Sequence, residues 1–287
     1  MKRPDISFEL FPPTTANGFD NLGRAVERLK GFDPKYYSVT YGAGGSGQQK
    51  SNELISKLSE DSDLTLAAHI TLAGASRQEI RDTVKSWQER GIKRLVALRG
   101  DGAVPGEAFV PHPDGFQDSV ELIAALRELG DFEIAVAAYP DPHPDSRSLA
   151  DDLEFLKRKQ DAGATTAITQ FFFEADSYFS FVDAARKAGI TIPIIPGILP
   201  INNIAQIKRF ADRCGATIPD WVSKAFEGLE DSAETSAAVA VSLCLDLCRE
   251  LIEGGVDAFH FYTLNRSPLT EAVCRLLALQ TEQKEAA

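Results

Sequence analysis

Apolar and polar positions along the chain follow two periods. Short runs dense in apolar, aromatic and β-branched residues read as buried strands. They cover residues 5–11 (DISFELF), 36–41 (YYSVTY), 64–72 (LTLAAHITL), 94–99, 133–139, 166–173, 192–199 (IPIIPGIL) and 257–264 (DAFHFYTL). Between them, apolar residues recur every three or four positions, the mark of a helix with one buried face. Leu22, Val26 and Leu29 form one such stripe, Leu122, Ile123, Leu126 and Leu129 another, and Phe179, Val182 and Ala185 a third. Helix starts carry their own signals. Asn17 is placed to cap the first helix, Ser76 with Glu79 has capping-box spacing, Ser148 opens a helix closed by Gly163, and Pro268 suits a first turn. The prolines in 192–199 predict a kinked or bulged strand.

Eight strands, each followed by a helical stretch, predict a parallel sheet. Eight units in 287 residues is the size of a closed (β/α)8 barrel, a TIM barrel. Two extra helices, 218–227 and 232–254, precede the eighth strand. The expected organisation is a single catalytic domain over 1–287 with a frayed polar tail from Thr281. An open doubly wound sheet is the rival. No GxGxxG follows the first strand, however, and the glycine-rich 42–47 lacks the Lys-Ser/Thr of a P-loop.

Composition narrows the partners. The chain is 44% hydrophobic and 25% charged with a formal net charge of −12. Without a basic block, nucleic acid and anionic membrane are excluded as expected partners. The first residues lead straight into a strand, and no apolar run is long enough to span a bilayer. The expected setting is cytoplasmic, with Cys214, Cys244, Cys248 and Cys274 reduced. These cysteines form no CxxC pair, and no metal site is expected. The apolar helix 232–254 would pack on the barrel or on a second copy, and a homo-oligomer is expected.

In a barrel, the C-terminal ends of all strands meet at one rim. There the chain places Glu9, Thr40, Tyr41, His69, Arg99, Asp101, Tyr139, Gln170, Tyr262 and Arg266. The set holds no Ser-His-Asp group, no cysteine nucleophile, no HExxH and no acidic cluster suited to magnesium. It suits a flat heteroaromatic ligand and proton transfer better than hydrolysis. Plainer readings stand beside these. Asp101 could be a loop acid paired with Arg99, His69 a satisfied core histidine, Phe171–Phe173 simply wall, and Lys157, Arg158 and Lys159 a solvated helix face. Glu9 lies between Phe8 and Leu10, where partial desolvation favours the neutral form that a general acid needs.

Seven ordered motifs then resemble the methylenetetrahydrofolate reductase family: SFELFPP at 7–13, SVTYGA at 38–43, ALRGD at 97–101, AAYP at 137–140, AITQFFF at 167–173, PGILP at 196–200 and HFYTLNR at 260–266. The resemblance implies an FAD-containing barrel that reduces 5,10-methylenetetrahydrofolate to 5-methyltetrahydrofolate. NADH or NADPH would be the co-substrate, with hydride moving in ping-pong order. It implies that Glu9 is the general acid toward folate N10 and that Asp101 is an acid tuning charge near flavin and folate. Thr40, Tyr41 and Ala43 match positions lining flavin and nicotinamide. His69, Arg99, Gly100, Tyr139, His143, Asp152, Arg158 and Lys159 match flavin-binding positions. Gln170, Gln206, Phe210, Tyr262 and Arg266 match the substrate side, with Arg266 reaching a folate carboxylate. Phe155 departs from the pattern, standing where a polar flavin contact is usual, and so does Phe116-Gln117. A corrinoid-dependent methyltransferase barrel and a non-catalytic folate-binding subunit are the alternative readings.

Overall fold

The computed structural model describes residues 3–41, 47–61, 63–100, 109–201 and 203–286. Among these, the apolar runs form nine parallel strands in one sheet: β1 (Asp5–Leu10), β2 (Tyr36–Val39), β3 (Leu66–Thr71), β4 (Arg94–Leu98), β5 (Glu133–Ala138), β6 (Thr166–Thr169), β7 (Ile194–Ile195), β8 (Gly197–Ile198) and β9 (Ala258–Tyr262). The sheet order is β7-β6-β5-β4-β3-β2-β1-β9-β8. β7 and β8 are two halves of the predicted seventh strand, broken at Pro196, which has no N–H to give the ladder. The break closes the ring. On one side Ala167 donates to the Pro193 carbonyl, and on the other His260 donates to the Pro196 carbonyl at 3.0 Å. The fold is therefore the expected (β/α)8 barrel, with its seventh strand in two pieces.

Helices fill the connections: α1 (Ala16–Lys30), α2 (Gly47–Leu58), α3 (Arg77–Glu89), α4 (Ser119–Leu129), α5 (Leu149–Asp161), α6 (Ala175–Lys187), α7 (Ile204–Cys214), α8 (Asp220–Ala225), α9 (Ala233–Glu253) and α10 (Ser267–Ala286). The capping box of Ser76 and Glu79 forms in full, and Ser148 caps α5 through Asp151 N–H. Thr15, not Asn17, caps α1, accepting from Gly18 N–H. The buried stripe of α6 is Ala175, Tyr178, Phe181 and Ala185. Phe179 and Val182, expected inward, are only half-buried. Tyr178 wins the inner position because its hydroxyl reaches the Ile194 carbonyl at 2.7 Å while its ring stacks on Phe172.

Strand alternation sorts the core. Outward residues pack under helices: Tyr37 reaches the α1 backbone at Val26, and Tyr41 sits edge-on to Trp87 of α3. Inward residues on β1, β2, β3 and β9 are polar, which is unusual enough to need a reason. α9 buries Ser236, Ala240, Cys244, Leu245, Cys248 and Leu251. No described helix is long and apolar enough to cross a membrane.

Candidate active site

Glu9 is the centre of the inward polar group. It is 8% exposed. Its Oε2 faces His69 Nε2 at 3.5 Å and His260 Nε2 at 3.9 Å. Burial holds His69 down at about 4, outweighing the opposite pull of Glu9, so the ring is neutral near pH 7. Three buried side-chain atoms among the described residues have no hydrogen-bond partner: Ser38 Oγ, Thr40 Oγ1 and His69 Nε2. Ser38 and Thr40 share one face of β2, and the pairing of Val39 with Ala68 brings His69 level with Thr40. An unpaired buried polar atom costs about 1–3 kcal/mol. Three at one mouth fit a planar polar cofactor that would supply the missing partners.

A second polar group spans β4, β5 and α5. Arg99 donates to Asp145 at 2.6 Å and lies over the Phe109 ring. Asp152 accepts from His143 N–H and from the Ser146 hydroxyl, so its carboxylate shapes the loop after β5. Tyr139 stands edge-on to His143 at 4.7 Å. Arg158 pairs with Asp118 at 3.1 Å and is exposed, as a solvated helix face would be. Lys159 is not: it is 7% exposed, donates to the Ala137 carbonyl and lies 4.7 Å from the Phe155 ring centre. Burial lowers its pKa to about 8, against the pull of Asp152 and Asp118. A buried cation with no contacting carboxylate among the described residues suits an anionic ligand. Phe155 thus serves the two cations as a ring face rather than as a polar contact. Gly100 turns this edge with φ +85°, and a Cβ there would lie 2.8 Å from Thr71 Cβ.

The far side is aromatic. Tyr262 donates to the Thr169 carbonyl at 2.7 Å across the broken strand. Only a glycine fits beneath it, since a Cβ on Gly197 would lie 2.1 Å from that carbonyl. Gln170 Oε1 accepts from Phe171 N–H at 3.0 Å. Phe210 packs in the same apolar cluster as Tyr262, Phe171 and Leu199. Gln206 and Arg266 line a separate groove of about 460 Å³ with Arg24 and Arg28 of α1. Thr263 also lines that groove, and its hydroxyl donates to the Glu9 backbone carbonyl.

Asp101 and Ala43 lie outside the described residues, and with them the reading that paired Arg99 with Asp101. Phe116 is a core residue, 2% exposed, beneath the Arg77 guanidinium. The sequence reading passed over Ser7, Tyr36, Ser38 and His260 as site residues. Their signal was present: they fall on the inward face at period two from Glu9, Thr40 and Tyr262. It also passed over Asn265, which brackets Phe11 N–H and carbonyl at 2.9 and 2.7 Å. Asn265 and Leu264 hold φ of 56° and 48°, a strained pair that ties the loop after β9 to the loop after β1.

The family model described as methylenetetrahydrofolate reductase matches residues 1–278. The 5,10-methylenetetrahydrofolate reductase of Salmonella typhimurium is 42% identical over 276 residues, covering 96% of this chain and 91% of that protein. That of Escherichia coli is 41% identical with the same coverage. Among solved structures, an uncharacterized protein from Clostridium thermocellum that binds two copies of 5-methyl-5,6,7,8-tetrahydrofolic acid aligns with a TM-score of 0.64. It is 16% identical over 96% of this chain and 94% of its own, a likeness of fold alone.

Proposed function

The chain belongs to the methylenetetrahydrofolate reductase family of oxidoreductases, and from that premise we propose its cofactors, its order of steps and its residues. It reduces 5,10-methylenetetrahydrofolate to 5-methyltetrahydrofolate with FAD as resident cofactor and NADH or NADPH as co-substrate. The proposed setting is the cytoplasm and the working assembly a homo-oligomer. The observation that carries the reading is Glu9, buried beside three unpaired polar atoms.

Glu9 delivers a proton to folate N10, so the five-membered ring opens to a 5-iminium cation. Thr40 and His69 offer their unpaired atoms to the polar edge of the flavin, whereas Tyr41, expected beside them, packs outward on Trp87 of α3, and Ala43 is assigned by its motif alone. Lys159, Arg99 and Arg158 meet the pyrophosphate, with Gly100, Tyr139 and His143 shaping the same edge and Asp152 holding the loop. Gln170 donates its amide hydrogens to the pterin or the nicotinamide. Tyr262 and Phe210 wall the substrate, Gln206 lies beside it, and Arg266 meets a folate carboxylate. Asp101 is assigned by its motif, as the negative charge that favours the iminium. When bound, FAD would supply the hydride relay between the nicotinamide and the iminium carbon, the two partners reacting in turn. Every other demand on the site is for position, proton and field, which these side chains supply.

Purified protein loaded with FAD tests this. Anaerobic NADH or NADPH should bleach the flavin, and methylenetetrahydrofolate should restore its colour with formation of methyltetrahydrofolate. Failure of both steps contradicts the reading, and flavin-free methyl transfer to a corrinoid would replace it.

A further inference from the structure

Beneath Glu9 lies a histidine that the proposed chemistry does not yet use. His260 on β9 is 1% exposed. Its Nε2 faces Glu9 Oε2 at 3.9 Å, and its Nδ1 lies 2.7 Å from Ser7 Oγ. The ring stacks on Tyr36 at 5.9 Å and stands edge-on to Tyr262 at 5.4 Å. Ser7 Oγ has a second acceptor within reach, the Phe259 carbonyl at 3.2 Å.

A neutral imidazole carries one N–H and one bare nitrogen. The pocket offers two complete arrangements. In one, Ser7 donates to Phe259 and accepts from His260 Nδ1–H, so bare Nε2 faces Glu9 and accepts a hydrogen bond from its carboxyl O–H. In the other, Ser7 donates to Nδ1, and Nε2–H points at the Glu9 carboxylate. We propose that His260, with Ser7 behind it, is the positioning residue for Glu9, giving the carboxyl a matched partner both before and after its proton is delivered. This rests on the reading of Glu9 as proton donor. Neither arrangement places a positive charge in the buried pocket, where an unpaired ion would be costly. The separation of 3.9 Å is longer than a hydrogen bond, and contacts of this kind tighten when substrate loads.

Other groups face the pair. From β3, His69 approaches the same carboxylate oxygen at 3.5 Å, and burial keeps it neutral near pH 7. From β2 comes Tyr36, whose hydroxyl is hydrogen-bonded with Ser7 and whose pKa burial raises. From β4, Arg94 lies over Tyr36 and is paired with Glu133 of β5 at 2.7 Å. From β9, the Tyr262 hydroxyl is committed to the Thr169 carbonyl. His260 stands apart because its second nitrogen is anchored to a hydroxyl that can either donate or accept.

The test follows the two half-reactions separately in FAD-loaded enzyme. His260→Phe should slow flavin reoxidation by methylenetetrahydrofolate about 100-fold and move its pH profile, while nicotinamide-driven reduction stays within about threefold. His260→Gln, whose amide both donates and accepts, should recover most of the rate. Ser7→Ala should cost about tenfold. In a Glu9→Gln background, His260→Phe should add less than about threefold, because it acts through Glu9. Equal loss in both half-reactions, or losses that multiply in the double variant, would overturn the proposal. An impaired Glu9→Gln with a normal His260→Phe sinks this inference alone, whereas a normal Glu9→Gln sinks the acid assignment beneath it.

Discussion

Two polar regions meet at the barrel mouth on opposite terms. Around Glu9, the side chains are buried and under-satisfied: His69, Ser38 and Thr40 each bury an atom with no hydrogen-bond partner. Along β4 and α5, most charges are wet and met: Arg99 with Asp145, at 39% and 58% side-chain exposure, and Arg158 with Asp118. Lys159 is the exception on that side, a cation buried as deeply as Glu9. The difference shows where the fold stores electrostatic work. Exposed pairs are screened by water and salt and hold shape cheaply. Buried groups cannot be screened, so their effects on stability and ligand binding are large.

Stability against pH should show the contrast most strongly. His69 has a folded pKa of about 4, below its ordinary 6.5. The unfolded chain therefore takes up this proton first as pH falls. Stability from this group is complete above pH 6.5 and drains toward pH 4 by up to about 3 kcal/mol. Melting curves of wild type and His69→Gln across that window should diverge, and parallel curves would break the comparison.

Lys159 should act in the same sense, in a more alkaline window. Its folded pKa of about 8 lies below 10.5, so stability rises as pH climbs between those values, and at pH 7 the buried charge is a burden. Lys159→Met should stabilise the flavin-free protein by about 1–3 kcal/mol while weakening FAD binding. Denaturant titration and flavin titration read the two effects. Asp152→Ala removes the acceptor for His143 N–H and the Ser146 hydroxyl. It should cost about 1–2 kcal/mol in the same denaturant assay. Smallest of all, Arg99→Ala should change stability by less than about 1 kcal/mol, with the difference shrinking as salt is added.

The barrel was legible because its evidence is local. Period-two runs, the Ser76–Glu79 capping box and the prolines of 192–199 each act within a few residues of themselves. The α6 face was misread because Tyr178 turns inward for a carbonyl on a neighbouring strand, which no stripe of apolar residues announces. The meeting of Glu9 and His69 was legible because both stand at strand ends on one rim. Other contacts between distant segments were not legible: Arg99 meets Asp145 46 residues away, and Ser7 meets His260 253 residues away. Lys159 and Arg158 are neighbours in one charged run, yet one is buried and the other solvated. The Phe155 ring meets both; Lys159 turns in to the Ala137 carbonyl of β5, and Arg158 turns out to Asp118.

The most direct test of the buried pocket is Glu9→Gln, followed through both half-reactions by rapid mixing. Removal of a general acid should lower flavin reoxidation by methylenetetrahydrofolate by about 100- to 10,000-fold. Nicotinamide-driven flavin reduction, which needs no proton from Glu9, should remain near the wild-type rate. Equal loss in both half-reactions would make Glu9 a general support of the site and contradict its role as the proton donor.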